Sequence, residues 1–290
     1  MDLSIIIINY NTFGLTCQCI ESIYKYTDDV LFEIIIVDNA STIDDPKLFK
    51  VKYPDVILVE NEKNLGFAKG NNKGIENSNG KFVLLLNSDT YQEYNCIGNV
   101  YNFIRINKDI GIISPQLKYP KGENQWTSGM FPTFKNELKE LVRYNKLLKN
   151  ESSFCYESKV DVISGAFMMF EKNNISKIEG EKLFDGFFMY AEDLVWSYQF
   201  KKIGLNNIVL KNEYLFHIKG ASFNLANDDY NKYKLNLRNE FFFIVKEQGV
   251  FIAKLIAILR LINYSLLFRS HNNRKQIVKS YINFIFRKTI

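Results

Sequence analysis

Two adjacent acids, Glu192 and Asp193, stand in FFMYAEDLVW (187–196), a stretch otherwise almost wholly apolar and aromatic. Carboxylates cost free energy to remove from water unless something compensates them, so the pair invites a chemical reading. At the start of a helix the dipole favours their ionised form. An ionised carboxylate is also what a general base must be before it takes a proton. Plain helix capping would use the same placement, and spacing does not separate the two readings. Phe187, Phe188, Tyr190 and Trp196 could wall a pocket for an apolar or sugar-ring face, or could be core. A third acid, Asp89, ends the apolar run KFVLLLNSD (81–89). There it could anchor a divalent cation already held by a diphosphate, since hard cations take oxygen ligands, or it could simply form a turn. His217, in FHIKGAS, is one of two histidines and reads as a ligand or as a structural hydrogen-bonder. Lys219, Gly220 and Ser222 beside it suit an anionic ligand.

Elements able to position these residues alternate through the first third of the chain. SIIIIN (4–9), FEIIIVDN (32–39), VILVE (56–60) and KFVLLLNSD (81–89) read as strands. Between them lie a helical stripe of Leu15, Cys19 and Ile23, a cap-plus-Pro start at Asp44–Asp45–Pro46, and the helical stretch GFAKGNNKGIEN (66–77). Uniformly apolar strands separated by helices predict an α/β fold with a mostly parallel central sheet covered on both faces. Ligands in such sheets sit beyond the carboxyl ends of the strands, which directs attention to Asn9–Asn11, Asp38–Asn39, Asn64 and Asn87–Asp89. The Gly66, Gly70 and Gly74 spacing is neither GxGxxG nor a phosphate-binding P-loop; it suits close helix packing, with Lys69 and the Asn residues free to face a nucleotide. Further on, DVISGAFMMFEK (161–172) is a strand interrupted by Gly165, residues 192–203 form a short helix ended by Gly204, and 230–247 an aromatic-rich helix.

The chain has 290 residues and a net charge of +5. Beyond Glu247 there is no acid, while Lys254, Arg260, Arg269, Arg274, Lys275, Lys279, Arg287 and Lys288 supply +8, which leaves −3 for the rest. The apolar tail is interrupted by Lys254, Arg260 and Asn263, which argues against a membrane span. Two readings remain for it: a basic amphipathic region on an anionic membrane surface, or a helical pair packed on its own core. Basic residues in a hydrophobic tail make no nucleic-acid groove, so no nucleic-acid partner is expected. Cys17, Cys19, Cys96 and Cys155 show neither disulfide nor zinc spacing, which favours reduced thiols and a cytoplasmic setting. The opening MDLSIIIINYN lacks the features of a signal peptide.

Seven segments, in order, resemble family 2 of the inverting glycosyltransferases, which have a GT-A fold: SIIIINYNT (4–12), IIVDNAST (35–42), NLGFAKGNNKGI (64–75), LLLNSDT (84–90), ISGAFMMF (163–170), FFMYAEDLVW (187–196) and HIKGASF (217–223). The nearest branch is similar to rhamnosyltransferase-like enzymes of cell-surface polysaccharide (O-antigen) assembly. The resemblance implies a glycosyltransferase domain over 1–228, with a nucleotide-sugar half (1–90) and an acceptor half (91–228), followed by a helical, membrane-associating region over 229–290. It implies that Asn9, Tyr10, Asn11, Asp38, Asn39, Asn64, Gly66, Phe67, Lys69, Asn71, Asn87 and Ser88 hold a dTDP- or UDP-sugar donor. Asp89 and His217 would bind Mg²⁺ or Mn²⁺ across its diphosphate. Asp193 would be the base, with Glu192 orienting acceptor or base, and Gly165, Ala166, Trp126, Tyr190 and Trp196 would line the acceptor side. The implied acceptor is a glycan or undecaprenyl-linked oligosaccharide at the inner face of the cell membrane, and a homodimer is compatible with the family.

Many relatives carry a further Asp where this chain has Val195, which puts fine positioning of the base in question. A UDP-hexose-dependent enzyme is the nearest alternative reading. A nucleotidyltransferase would show a Gly-rich, Arg/Lys-bearing signature near the N-terminus, and IIIINYNTFGL has none. A non-catalytic sugar-nucleotide-binding protein is disfavoured by the joint presence of Asp89, Asp193 and His217.

Overall fold

The structure, a computed structural model, describes residues 1–143, 157–218, 229–267 and 274–287. In chain order the elements are β1 (Leu3–Asn9), α1 (Phe13–Tyr26), β2 (Phe32–Asp38), α2 (Leu48–Lys52), β3 (Ile57–Glu60), α3 (Phe67–Glu76), β4 (Phe82–Asn87), β5 (Thr90–Tyr91), α4 (Cys96–Ile104), β6 (Ile110–Lys118) and β7 (Ser128–Gly129). They continue with α5 (Phe134–Arg143), β8 (Glu157–Val160), β9 (Val162–Ile163), β10 (Phe167–Glu171), α6 (Glu192–Lys202), β11 (Asn206–His217), α7 (Asp229–Leu267) and α8 (Arg274–Arg287). The chain divides into two compact units, one of Met1–Gly129 with Cys155–Asn224, the other of Met130–Phe154 with Leu225–Ile290.

The first unit is built on a nine-stranded sheet in the order β3-β2-β1-β4-β10-β6-β11-β5, with β8 pairing β11. β1 alternates between two cores. Ile5 and Ile7 meet Cys19, Ile20 and Ile23 of α1 on one face, and Ile6 meets Ala68 and Ile75 of α3 on the other. A strand buried on both faces must be apolar throughout, which is why LSIIIIN reads as an unbroken run. β1, β2, β3 and β4 are parallel, as expected, and β10 and β5 run antiparallel to their neighbours. Parallel register brings Asn9 opposite Asp38, Asp38 opposite Glu60, and Ile8 opposite Asn87. The polar carboxyl ends of the strands are thereby gathered on one edge.

Glycines set how closely α3 lies on this sheet. A Cβ at Gly74 would stand 2.3 Å from Ile6 Cγ2, and one at Gly70 would stand 3.2 Å from Ile8 Cδ1 and Asn39 Nδ2. The expected break at Gly165 is present between β9 and β10, and Gly204 ends α6 in the left-handed region at φ 84°. The Asp44–Asp45–Pro46 helix start is displaced: Asp45 Oδ1 accepts from Lys47 N–H, and α2 begins only at Leu48.

The second unit contains α5, α7 and α8. Against the expected boundary at residue 228, the C-terminal part of this unit starts at Leu225, and α5 groups with the C-terminal helices. Electrostatics gives the reason. Arg260 on α7 meets Glu137 of α5 at 2.5 Å and Glu240 of its own helix at 2.7 Å, with all three side chains less than one-fifth exposed. Leaving that guanidinium buried without both acids would be costly. Among the cations assigned to a membrane surface, Arg260 is therefore an internal ion-pair partner. Phe241, under the Arg260 guanidinium, packs on Tyr281 and Phe284 of α8, and Ile244, Ala253, Ile256, Ala257 and Ile277 are buried along the same helices. Among the described residues no helix is long and apolar enough to cross a membrane.

The α3–β1 packing yields a contrast that chemical denaturation can read. Gly74→Ala is expected to destabilise by about 1–3 kcal/mol through overpacking against Ile6. Gly14→Ala, on α1 with open space around it, is expected to raise stability by up to about 1 kcal/mol through helix propensity.

Candidate active site

The edge where β1, β2 and β4 end is a hydrogen-bonded floor. Asn9 Nδ2 donates to Asp38 Oδ2 at 2.6 Å, Ser41 Oγ donates to the same oxygen at 2.6 Å, and Ser41 N–H donates to Asp38 Oδ1 at 2.8 Å. Thr12 and Thr16 hydroxyls donate to Asn9 Oδ1 at 3.0 and 2.9 Å. Asn39 bridges two loops, donating to Gly66 O at 3.1 Å and accepting from Asn61 at 2.9 Å. Of the expected donor-binding residues, Asn9, Asp38, Asn39, Asn71 and Ser88 are buried. Tyr10, Asn11, Asn64, Phe67 and Lys69 retain solvent-facing surface. Asn11, at φ 56°, accepts from the Thr42 and Ile43 amides at 2.7 and 3.1 Å and fixes the neighbouring loop.

At the end of β4, Asn87 and Asp89 meet His217 from the end of β11. The meeting is made by backbone pairing: His217 lies opposite Thr90 in the β5–β11 ladder, and Ile218 N–H donates to Asp89 O at 2.9 Å. His217 Nε2 is 3.3 Å from Asp89 Oδ1 and 3.4 Å from Asn87 Nδ2. Asn87 Oδ1 and Asp89 Oδ1 are both buried and accept no hydrogen bond. Buried oxygens left unpartnered are costly; Asp89 Oδ1 beside the imidazole nitrogen, with Asn87 Oδ1 as a further oxygen on the adjoining side chain, makes a donor set suited to a hard divalent cation. Among the described residues no three His, Cys, Asp or Glu side chains form a cluster. Such a cation would thus complete its coordination with ligand oxygens. The residue that sequence reading missed here is Gln125, whose amide oxygen lies 3.0 Å from His217 Nδ1. A lone Gln in a loop carries no recognisable signal.

The acid pair opens α6 through two consecutive non-glycine residues in the left-handed region, Tyr190 at φ 73° and Ala191 at φ 64°. Such conformations cost of order 1–3 kcal/mol each and persist where the surroundings over-determine them. Asp193 Oδ1 accepts the Leu194 N–H at 2.9 Å, so this carboxylate does act in part as a cap. Glu192 is buried, and its Oε2 accepts no hydrogen bond. Burial, reinforced by the adjacent Asp193, pushes its carboxyl up to about 8 against the pull of its own backbone N–H. The two acids are therefore chemically distinct: Glu192 holds its proton near neutrality.

A short segment joins the acid pair to the end of β4. A Cβ on Gly165 would stand 3.7 Å from Asp193 Cβ and 3.4 Å from Phe67, while Ala166 O accepts from Asn87 N–H at 3.0 Å. The donor-side loop also joins the aromatic segment directly, because Phe67 N–H donates to Phe188 O at 3.0 Å. Of the expected acceptor-side aromatics, Trp126 is 56% exposed and Tyr190 half-buried. Trp196 is a correction. It is 0% exposed, stacks on Phe67 at 5.9 Å and donates its indole N–H to Phe184 O at 2.8 Å, so it supports the site from the core. Val195 is buried. Lys219, Gly220 and Ser222 lie outside the described residues, as does Cys155; Cys17, Cys19 and Cys96 are free and buried.

Comparison with known proteins meets this geometry. The poly(ribitol-phosphate) beta-glucosyltransferase of Bacillus spizizenii is 32% identical over 115 residues, 37% of this chain and 18% of that protein. Glycosyltransferase GlyG of Streptococcus pneumoniae is 28% identical over 114 residues, 38% of this chain and 37% of that protein. The matched stretch thus spans well under two-thirds of either relative. The S. aureus TarS 1–349 complex with UDP-GlcNAc superposes with a TM-score of 0.61 at 17% identity, covering 100% of this chain and 82% of that one. GalNAc-T7 with UDP, GalNAc and Mn²⁺ gives 0.65 at 15%, covering 96% and 54%. At such identities the likeness is one of fold, the GT-A fold. The sequence profile of glycosyl transferase family 2 matches residues 4–178, more than half of the chain, and the chain belongs to that family.

Proposed function

We propose that the chain is a metal-dependent, inverting glycosyltransferase. In this reading it moves a hexosyl group from a nucleotide diphosphate sugar to a hydroxyl of a glycan or lipid-linked glycan. Rhamnose from a dTDP-sugar is the first donor to test and UDP-hexoses the second. The observation that carries the reading is the meeting of Asn87, Asp89 and His217 at the end of β4, with two buried oxygens unpartnered and Asp193 one short segment away. Asn87, Asp89 and His217 would hold Mg²⁺ or Mn²⁺, which when bound would neutralise charge on the departing diphosphate. Tyr10, Asn11, Asn64 and Lys69 face the nucleotide, over the floor kept by Asn9, Asp38 and Asn39. The reaction is a single displacement. The acceptor oxygen bonds to the anomeric carbon as the bond to the diphosphate oxygen breaks with its electron pair, and the hydroxyl proton passes to Asp193. Glu192, neutral, donates a hydrogen bond that orients the acceptor. Trp126 and Tyr190 offer ring faces, with Gly165 keeping space beside Asp193.

For the location of the enzyme, the outer face of α8 supports attachment to the inner, anionic face of the cell membrane. Lys275, Lys279, Ile282 and Phe286 follow at i, i+4, i+7 and i+11, and all are exposed. Because α7 and α8 share a core, truncation would be a poor test. Lys275→Glu with Lys279→Glu is expected to weaken co-sedimentation with anionic vesicles by roughly tenfold or more, each lysine near such a surface contributing about 1 kcal/mol. Equal binding by the double variant removes the membrane assignment.

Turnover should be scored as nucleoside diphosphate released from a panel of nucleotide sugars with Mn²⁺ or Mg²⁺. Asp193→Asn is expected to lose roughly 10²–10⁴-fold in rate, the usual worth of a positioned base. Glu192→Gln keeps a donor and is expected to lose far less; undiminished turnover in Asp193→Asn would refute the base assignment.

The raised Glu192 carboxyl also makes a stability prediction. Between the ordinary glutamate value of 4.5 and about 8 the folded state holds a proton that the unfolded state has released. Stability therefore falls as pH rises across that window and levels off above it. Glu192→Gln should flatten this slope, so that its melting temperature gains on the wild type between pH 5 and pH 8. Parallel curves would show that Glu192 is ionised in the fold.

A further inference from the structure

The connection between β6 and β7 delivers Gln125, 7% exposed, to the far side of the His217 ring. Its side-chain nitrogen donates to the His217 carbonyl oxygen, and its side-chain oxygen lies 3.0 Å from His217 Nδ1. A carbonyl oxygen can only accept, so the nitrogen end of the amide must face it. That leaves an acceptor-only oxygen against Nδ1, and Nδ1 must carry the ring proton. In an uncharged ring Nε2 then carries the lone pair, with Asn87 Nδ2 at 3.4 Å and Asp89 Oδ1 at 3.3 Å. Toward Asn87 Nδ2 that lone pair can accept a hydrogen bond; toward Asp89 Oδ1, which accepts none, it meets another lone pair, and a cation placed there would satisfy both. Gln125 has little freedom to turn over. Its N–H donates to Leu117 O at 2.8 Å, and its own carbonyl accepts from Gln116 Nε2 at 2.9 Å.

We infer that Gln125 is a positioning residue: it locks His217 in the Nδ1–H tautomer and so aims the Nε2 lone pair at a cation beside Asp89. The inference rests on the donor-cation reading given above. It extends that reading to a loop distant in sequence, and it explains why an amide is buried in that loop. Partners of ligating histidines commonly act in this way, and losing one typically costs 10–100-fold in metal affinity. Gln125 is followed by the exposed Trp126 and by Thr127, whose carbonyl accepts from Ser164 N–H at 2.8 Å. The lock and the acceptor-side segment are thus consecutive residues of one strap.

The test reads the proton directly. The chain has two histidines, His217 and His271, so long-range ¹H–¹⁵N spectra of the full chain are assignable with a His271→Gln variant. Spectra are taken at about pH 8.5, above the ordinary histidine range. The expected result is a proton on Nδ1 of His217 in the wild type. In Gln125→Met the proton should move to Nε2 or exchange between the nitrogens. Mn²⁺ binding in the presence of UDP, followed by electron paramagnetic resonance, should weaken roughly 10–100-fold, with far-UV dichroism unchanged. A merely structural Gln125 would shift the melting temperature and leave the tautomer where it was. A wild-type proton on Nε2 overturns the inference even if the variant does not fold, and so does a folded Gln125→Met with unchanged tautomer and Mn²⁺ affinity. Absence of Mn²⁺ binding in a wild type carrying the proton on Nδ1 overturns the donor-cation reading instead, a failure distinct from a misplaced proton.

Discussion

The pairing of β5 with β11 is a small piece of sheet on which the site depends. It lays His217 opposite Thr90 and so brings an imidazole to Asn87 and Asp89 across 130 positions of sequence. Main-chain hydrogen bonds fix the meeting, that from Ile218 N–H to Asp89 O among them, and the approach of Asn87 Nδ2 to His217 Nε2 adds to it. The surrounding parts answer to this constraint. β4 is buried on both faces and ends where the polar residues begin, the Gly165–Ala166 segment ties that end to α6, and Gln125 closes the ring from behind.

Much of this frame was legible because it follows from burial. Strands covered on both faces must be apolar throughout, and the four runs in the first third of the chain read accordingly. Gly165 and Gly204 marked a break and a helix end for the conformational reasons glycine always offers. The gathering of Asn9, Asp38 and Asn87 on one edge followed from parallel strands. What one sequence could not separate was which polar residues face a ligand and which support the floor. Asn9 and Asp38 have the same composition either way; the structure adds that the two are hydrogen-bonded to each other.

The misreadings have a common physical origin. Trp196 beside two acids looked like a wall of the pocket, but a helix start turns successive residues through about a hundred degrees each, and Trp196 points into the core. Arg260 in an apolar tail looked like a membrane contact because its partners, Glu137 and Glu240, are distant in sequence. Charge counted along a chain says nothing about which charges are already neutralised in space. Gln125 escaped notice for the opposite reason: it is ordinary in type and isolated in sequence, and its importance lies wholly in what its two amide ends face.

The hydrogen bond from Phe67 N–H to Phe188 O runs between main-chain atoms. Neither side chain takes part in it, so truncating Phe67 or Phe188 would not report on the bond itself. Its trace in the side chains is negative. A Cβ on Gly66 would stand 2.2 Å from that same carbonyl oxygen, and Gly66 sits at φ 82°. The junction between the two loops is thus written in the sequence as a missing atom, and a substitution that adds one at Gly66 would part them.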